Sequence, residues 1–395
     1  MSQQLSRRQL TVLILGLMAT GIGQSLVFAL LAPLGREVHL SEVAITSIIA
    51  VSALTFGLAA PHWGRFSDRV GRKPVIITGL IGYTVGTLLF ASVFQAALSG
   101  VLTGTAFYVV LMITRSAQAA VMSATNPASA AYAADHSSRD QRTKTMARLG
   151  TANSLGTILG PAVTGALVVF GMLAPLYFAA GLAALAALFV WRSLPVIPAT
   201  QRKEHKPLAR LRYTDRRLTL FLATAVGVFV GFSGIQQTLG FHLQDKMGLT
   251  GIETAQLTGA ALMVSATFTL ITQLTFMQRV NLRPTQFIRI GLLFLLVGAG
   301  VISQFETFAL LAVGMAFIGT GMAMTMPAIS AGASLAVNPD EQGGAAGLVS
   351  SCPPLGFAVG PVAAGALYQV DPALSPLFSA AVFFLVLCLL VIGRR

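Results

Sequence analysis

The sequence predicts an all-α integral membrane protein whose twelve transmembrane helices form two pseudo-symmetric six-helix bundles. Three observations carry that prediction: too little charge for a water-facing surface, basic residues gathered on one side of the apolar runs, and a second half that repeats the first. The 395 residues are 55% hydrophobic and 10% charged, with a mean hydropathy of +0.77. Soluble domains carry about 25% charged residues, so this composition excludes a soluble globule as well as a disordered or collagen-like chain. The two cysteines, Cys352 and Cys388, lie in apolar runs and read as small core residues, not a disulfide framework.

A helix needs about 20 mostly apolar residues to cross the hydrocarbon core, where every backbone polar group must be paired internally. Windows of that kind fall near 10–32, 43–62, 75–94, 98–126, 147–170 and 173–191 in the first half. In the second half they fall near 218–240, 256–277, 286–303, 308–332, 344–367 and 375–393. The first run is of full length and lacks a following small-residue cleavage site, so no cleavable signal peptide is expected.

The net charge of +13 would by itself suggest a nucleic-acid partner. Its placement removes the need for one. With the N-terminus in the cytoplasm, all but three of the 26 Lys+Arg fall on inner segments. Arg36 and Lys246 fall outside and Arg115 lies within a span. This is the positive-inside pattern, and it predicts a multi-pass protein of the inner membrane with both termini cytoplasmic. The excess charge faces anionic lipid, so membrane lipids are expected partners and nucleic acid is not.

The polar stretch 193–217 divides the chain into an N-terminal bundle (1–192) and a C-terminal bundle (218–395). A repeat supports the division. Gly156-Thr-Ile-Leu-Gly160-Pro161-Ala-Val-Thr-Gly165 in the fifth span returns 200 residues later as Gly356-Phe-Ala-Val-Gly360-Pro361-Val-Ala-Ala-Gly365. Pro127-Ala128 returns as Pro327-Ala328 at the same offset. Two halves related by an axis along the membrane normal are a transporter plan, with the substrate near the midplane. Glycine at i and i+4 lets helices approach closely, and proline permits bending. Tight packing alone would also account for any single glycine.

With these residues in view, the chain resembles the major facilitator superfamily, and within it the twelve-helix drug:proton antiporters that include tetracycline and multidrug efflux pumps. Gly64-Arg-Phe-Ser-Asp68-Arg69-Val-Gly71-Arg72-Lys73-Pro74 matches the loop signature G-x-L-a-D-r-x-G-R-[KR], with Phe66 where leucine is usual. Arg115-Ser-Ala-Gln118 matches the R-x-x-Q core of a second motif. Gly156, Gly160, Pro161 and Gly165 match the antiporter signature g-x-x-x-G-P-x-x-G-G, with Thr164 in place of its penultimate glycine. The end of the first span, Leu31-Ala-Pro33-Leu34, also fits, whereas Gln278 to Pro284 is a worn copy of the loop motif. The resemblance implies a secondary exporter driven by the proton gradient, with no cofactor. It also implies that Asp68 latches the two halves on the cytoplasmic side in the outward-facing state.

Read without the family, Gly64 and Gly71 allow a tight turn between antiparallel helices. Asp68 is placed to meet Arg72 and the N-terminal end of a facing helix. Arg69, Arg72 and Lys73 also serve as topology determinants.

Arg115 is the one basic residue well inside a span, a position that costs several kcal/mol unless it faces the bundle interior or a wet cavity. Gln118, Met122 and Asn126 follow at i+3, i+7 and i+11 and make a polar stripe on one helix face. The stripe lines the substrate cavity, or else Arg115 is satisfied structurally by carbonyls or by Gln118. Gln24, Phe28, Phe232, Gln236 and Gln237 are further lining candidates. Phe241 and the methionines at 263, 322, 324 and 326 are candidates for an adaptable apolar wall, or for ordinary packing. All 13 acids fall in or beside loops, so the membrane-embedded carboxylate common in drug:proton antiporters is missing. An arginine without an acidic neighbour favours an anionic or zwitterionic substrate. Proton coupling is then open to Asp68, to the substrate itself, or to His62 and His242 at span ends.

The expected function is a proton-driven antiporter that exports small amphipathic molecules, as in drug efflux. The alternative is export of an endogenous acidic metabolite such as a carboxylate siderophore. An uptake symporter is disfavoured by the fifth-span signature, and a sensor or scaffold by the lack of an appended soluble domain. No P-loop, metal-spaced Cys/His cluster or nucleophile motif suggests an enzyme or a metal site. A monomer is expected.

Overall fold

A computed structural model describes residues 6–137, 139–195, 211–280, 282–338 and 341–392, with backbone alone at 139–144 and 147. Most of the polar stretch 193–217, several of the inner charges and the last residues lie outside the described residues. All regular structure among the described residues is helical, and it makes 12 spans long and apolar enough to cross a bilayer. The first six are α1 (Arg7–Glu37), α2 (Glu42–Val70), α3 (Arg72–Leu98), α4 (Gly104–Met122) with α5 (Thr125–Asp135), α6 (Arg139–Leu167) and α7 (Ala174–Ser193). The second six are α8 (Arg216–Met247), α9 (Gly251–Leu274) with α10 (Phe276–Arg279), α11 (Pro284–Ser303) and α12 (Phe308–Leu335). They end with α13 (Gln342–Ser350) and α14 (Cys352–Val370), which share one span, and α15 (Leu374–Ile392).

Every predicted window contains a helix, but the helices run past the apolar windows because capping, not hydropathy, sets their ends. At α1 the Ser6 hydroxyl accepts from the Gln9 amide (3.2 Å) and the Gln9 side chain accepts from the Ser6 amide (3.0 Å). At α8 the Asp215 carboxylate accepts from the Arg217 amide (3.0 Å), and Gly248, at φ 63°, ends the helix. The fourth span is displaced from the predicted 98–126 to Gly104–Asp135. Gly100 and Gly104, with φ of 75° and 63°, hold the chain in a turn first. It then breaks at Ser123-Ala124, because Pro127 has no amide to give to Ser123. Pro353 and Pro354 follow the Ser351 break between α13 and α14 in the same way.

Two expectations are corrected. Gly64 does not shape a turn: α2 continues helically to Val70, and Gly71 alone, at φ 121°, joins it to α3. Arg36 and Lys246, expected in the outer loops, each lie instead in the last turn of a helix.

The described chain forms two compact units. The first takes in α1, α3 to α7, α2 from Val51 onward and Gly251–Gly259 of α9. Its core joins Leu13 and Leu17 of α1, Ile76 and Leu80 of α3, Ala128 and Tyr132 of α5, Leu149 of α6 and Val190 of α7. The second takes in Ser41 and the start of α2 to Ala50, α8, α9 from Ala260 onward and α10 to α15. There α8 packs on α14 and α15, and α11 on α12. Lipid is as apolar as leucine, so helix pairs gain by close packing through small residues more than by hiding apolar surface.

Candidate functional site

In the first unit the polar stripe of α4 is built from the backbone outward. Arg115 is 5% exposed and Gln118 3% exposed. The i+3 spacing brings their side chains together, and Arg115 Nη1 donates to Gln118 Oε1 at 2.5 Å. Gln118 Nε2 in turn donates to Thr87 Oγ1 (2.5 Å) and to the Tyr83 carbonyl (3.4 Å) of α3. Gly86 makes that approach feasible, since a methyl group there would fall 2.6 Å from Gln118 Cβ. The guanidinium lies 5.5 Å from the Phe90 ring centroid, and its Nε has no hydrogen-bond partner. Arg115 forms no ion pair among the described residues. Met122 is buried and Asn126 half-buried further along the stripe, beyond the break after Met122. On α1, Gly23 receives the hydroxyl end of Tyr83 against its Cα, and Gln24 and Phe28 beside it are half-buried.

The motif that joins α2 to α3 forms a charged knot. Arg72 pairs with Asp68 (2.5 Å), with Asp135 of α5 (3.1 Å), and donates to Ser67 Oγ (2.6 Å). Asp68 is 59% exposed, whereas Arg72 and Asp135 are at 11% and 18%. Arg69 is exposed, and Phe66 stacks edge-on against Trp63 at 5.8 Å. Asp135 is not legible as a partner in the sequence, because the pairing crosses from α3 to the far end of α5.

The glycine–proline repeat is a helix-packing device in both units. In the first, α6 lies on α1: a methyl group at Gly156 would sit 3.1 Å from the Gly21 Cα, and one at Gly160 2.5 Å from the Ile22 carbonyl. Ser25 Oγ of α1 reaches the Gly156 carbonyl (3.5 Å), and Thr164, standing in for the motif's glycine, donates to the Leu26 carbonyl (3.3 Å). In the second, α14 lies on α8 with Gly360 against the Val230 carbonyl, and Ser233 donates to the Gly356 carbonyl (3.2 Å). Neither serine is part of the sequence repeat. Gly165 is looser, with 3.7 Å between an added methyl and Gln256.

On α8, Gln236 and Gln237 are 7% and 4% exposed. Gln236 Oε1 and Gln237 Nε2 have no hydrogen-bond partner, so both amides are left with unmet capacity. Phe232 is half-buried and Phe241 fully buried against Tyr368 (5.6 Å between rings). Met324 is buried, Met322 and Met326 are half-buried and Met263 is 38% exposed, so the methionines do not form one wall. Every acid with a described side chain lies within about one turn of a helix end, and no cluster of three potential metal ligands occurs among the described residues. Outside the spans, Asp215 and Glu341 both bind Arg217 (2.9 and 2.8 Å), which holds both carboxyl groups below their usual range. A groove of about 490 Å³ between α3 and α7 is lined by Ile77, Ile81, Ala184, Leu188 and Trp191, apart from the stripe.

Comparison with known proteins places these features. The family model described as Major Facilitator Superfamily matches residues 13–305 and 275–395. Multidrug resistance protein 1 of Bacillus subtilis (strain 168) is 26% identical over 369 residues, covering 92% of this chain and 90% of that protein. Tetracycline resistance protein, class B, of Escherichia coli is 33% identical over 163 residues, 40% of this chain and 37% of that protein. Among solved structures, the nucleoside transporter NupG superposes with a TM-score of 0.77 at 15% identity, covering 98% of this chain and 100% of that one.

Proposed function

Because the chain belongs to the major facilitator superfamily, a family of membrane transporters and not of enzymes, we propose that it is a proton-driven secondary exporter of small amphipathic molecules, with drug efflux as its activity. The likeness to a multidrug resistance protein and to a tetracycline resistance protein supports drug efflux. The fifth-span glycines and proline support it too, resembling exporters more than uptake systems. On this reading the protein is a monomer in the inner membrane with both termini cytoplasmic, working by alternating access.

The observation that carries the substrate class is Arg115. It is buried, held by one neutral side chain, and its Nε points to no acceptor. A buried guanidinium normally finds a carboxylate or phosphate, for which its planar fork is shaped. Here an anionic or zwitterionic substrate supplies that partner, and Gln118 orients the fork from behind. Gln24, Phe28, Met122, Asn126, Phe232, Gln236 and Gln237 are the remaining proposed lining residues. The unmet amide groups of Gln236 and Gln237 suit polar substituents on an otherwise apolar cargo. The same observation favours a second reading, export of an endogenous acidic metabolite such as a carboxylate siderophore.

Asp68 is proposed as the cytoplasmic latch, with Arg72 and Gly71 shaping it and Arg69 beside it. Gly156, Gly160, Pro161 and Gly165 are proposed as the sliding contact that accommodates the change of state. The test uses everted vesicles with a pH-sensitive dye. Adding tetracycline to respiring vesicles releases protons in exchange if the protein is an antiporter. A dye signal equal to that of vesicles lacking the protein, across tetracycline, ethidium and citrate, overturns the reading.

A further inference from the structure

We propose that the groove between α3 and α7 holds an acyl chain of an anionic phospholipid, whose phosphate is bound at one end by Lys73 and Arg192. The groove, about 490 Å³, exists because α7 is rich in alanine where it passes α3. Ala184 and Ala187 leave the space, which Ile77 and Ile81 of α3 and Leu188 and Trp191 of α7 bound. Ile81, Leu188 and Trp191 are exposed, Trp191 at 60%, so the groove opens sideways to the bilayer. Thr84 closes its far end, and the one proton of that hydroxyl is shared between the Leu80 (3.0 Å) and Ala180 (3.4 Å) carbonyls. The rest of the wall is hydrocarbon, apart from the indole N–H of Trp191.

The other end is charged. Lys73 precedes Ile77 and Ile81 on one face of α3, each four residues from the next. Arg192 follows Ala184 and Leu188 on α7 at the same spacing. The two helices run antiparallel, and the Thr84–Ala180 contact fixes their register. Lys73, eleven residues before Thr84, therefore stands level with Trp191, eleven residues after Ala180, and Arg192 lies one residue beyond. Among the described residues neither Lys73 nor Arg192 forms an ion pair, and the Trp191 indole makes no hydrogen bond. Asp68 and Asp135, the acids on the adjoining segments, are both bound to Arg72.

Length and charge together select the occupant. From Lys73 to Thr84 the groove runs about 16 Å, half of the ~30 Å hydrocarbon core, which is the depth of one leaflet and the reach of one acyl chain. A phosphate at the mouth gives the planar fork of Arg192 and the point charge of Lys73 an anion. The Trp191 N–H lies at the same level, where lipid ester oxygens accept from it. An apolar helix of a second copy would fill the groove but leave both cations without a partner. With the proposed orientation this mouth faces the cytoplasmic leaflet, where anionic lipid is found.

Tryptophan quenching of the full-length protein tests this in vesicles of phosphatidylcholine and phosphatidylglycerol, with one lipid or the other brominated. The chain has two tryptophans, Trp63 and Trp191, so the emission missing in Trp191→Phe reports the groove. Brominated phosphatidylglycerol should quench that emission at a mole fraction roughly 25-fold lower than brominated phosphatidylcholine, about fivefold for each cation. Lys73→Gln and Arg192→Gln should each remove one such factor. Ala184→Phe, which fills the groove from an exposed position, should abolish the preference with both cations in place. Equal quenching of Trp191 by the two lipids overturns the proposal, as does a preference that survives the double charge variant or Ala184→Phe. Emission shielded from both lipids at high protein density, and quenched again on dilution with lipid, assigns the groove to a second copy and overturns it too. The assay needs no transport, so export could fail and leave the site standing.

Discussion

Replacing Gln118 with leucine should destabilise the protein more than removing the charge that Gln118 holds. Among the described residues Gln118 Oε1 is the one hydrogen-bond acceptor of Arg115, at 2.5 Å, and the arginine is 5% exposed. Gln118→Leu leaves the guanidinium buried with only the Phe90 ring, 5.5 Å away. A lost hydrogen bond to a charged group costs about 1.5–3 kcal/mol, and a stranded buried charge about 3–5 kcal/mol. The ring contact is already present in the wild type and offsets nothing, so a cost of about 2–5 kcal/mol is expected. Arg115→Met removes the charge, keeps the apolar stem volume, and strands one neutral amide oxygen, at about 1–2 kcal/mol. The double variant should therefore be more stable than Gln118→Leu alone, a non-additivity that only a direct contact produces. The measurement is the midpoint of detergent-driven unfolding of the purified protein, followed by tryptophan fluorescence. Gln118→Leu as stable as wild type, or Arg115→Met costing more than Gln118→Leu, would refute the reasoning.

The other predictions concern packing, the latch and pH. Gly160→Ala drives a methyl group to 2.5 Å from the Ile22 carbonyl and should lower stability by about 1–3 kcal/mol, whereas Gly165→Ala and the exposed Gly181→Ala should be neutral or slightly stabilising. Thermal survival measured by size-exclusion chromatography separates the three. Asp68→Asn should stop or slow transport while insertion and folding persist, because Arg72 keeps Asp135 at 3.1 Å. Unchanged uptake in vesicles would remove the latch. Asp215 and Glu341 are held below their ordinary range by Arg217, so their contribution is full above that range and is lost only as pH falls on through their lowered titration. Glu341→Gln should therefore lower stability by a constant amount between pH 6 and 8 and converge on wild type only in acid below the ordinary carboxylate range. A difference that persists in acid would assign Glu341 another role.

Much of the architecture is legible in the sequence because a bilayer demands long apolar runs, and the positions of the twelve spans follow from that demand alone. Their ends do not. α2 runs through the Gly64–Val70 motif and α4 starts six residues beyond the predicted 98, since capping side chains and positive-φ glycines act over single residues that hydropathy windows blur. Within the candidate site, the Arg115–Gln118 pair is readable from i, i+3 spacing on one helix. Its supports are not. Thr87 and Tyr83 reach Gln118 from α3, Asp135 reaches Arg72 from α5, and Ser25 and Ser233 tie the glycine seams from the opposite helix. Each is a contact between separate helices, and one chain's periodicity carries no information about which neighbour faces it. Gly86 illustrates the limit: it reads as an ordinary small residue until Gln118 is seen lying on it.

The central claim is that Arg115 binds the anionic group of an exported substrate. Gradient-driven transport of carboxyfluorescein and tetracycline, set against ethidium, in vesicles containing wild type, Arg115→Ala or Arg115→Lys tests it most directly. The account predicts that both variants lose transport of the acidic probes, Arg115→Lys less completely because it keeps the charge but not the planar fork. Acidic-probe transport retained at wild-type rates in both variants would contradict it.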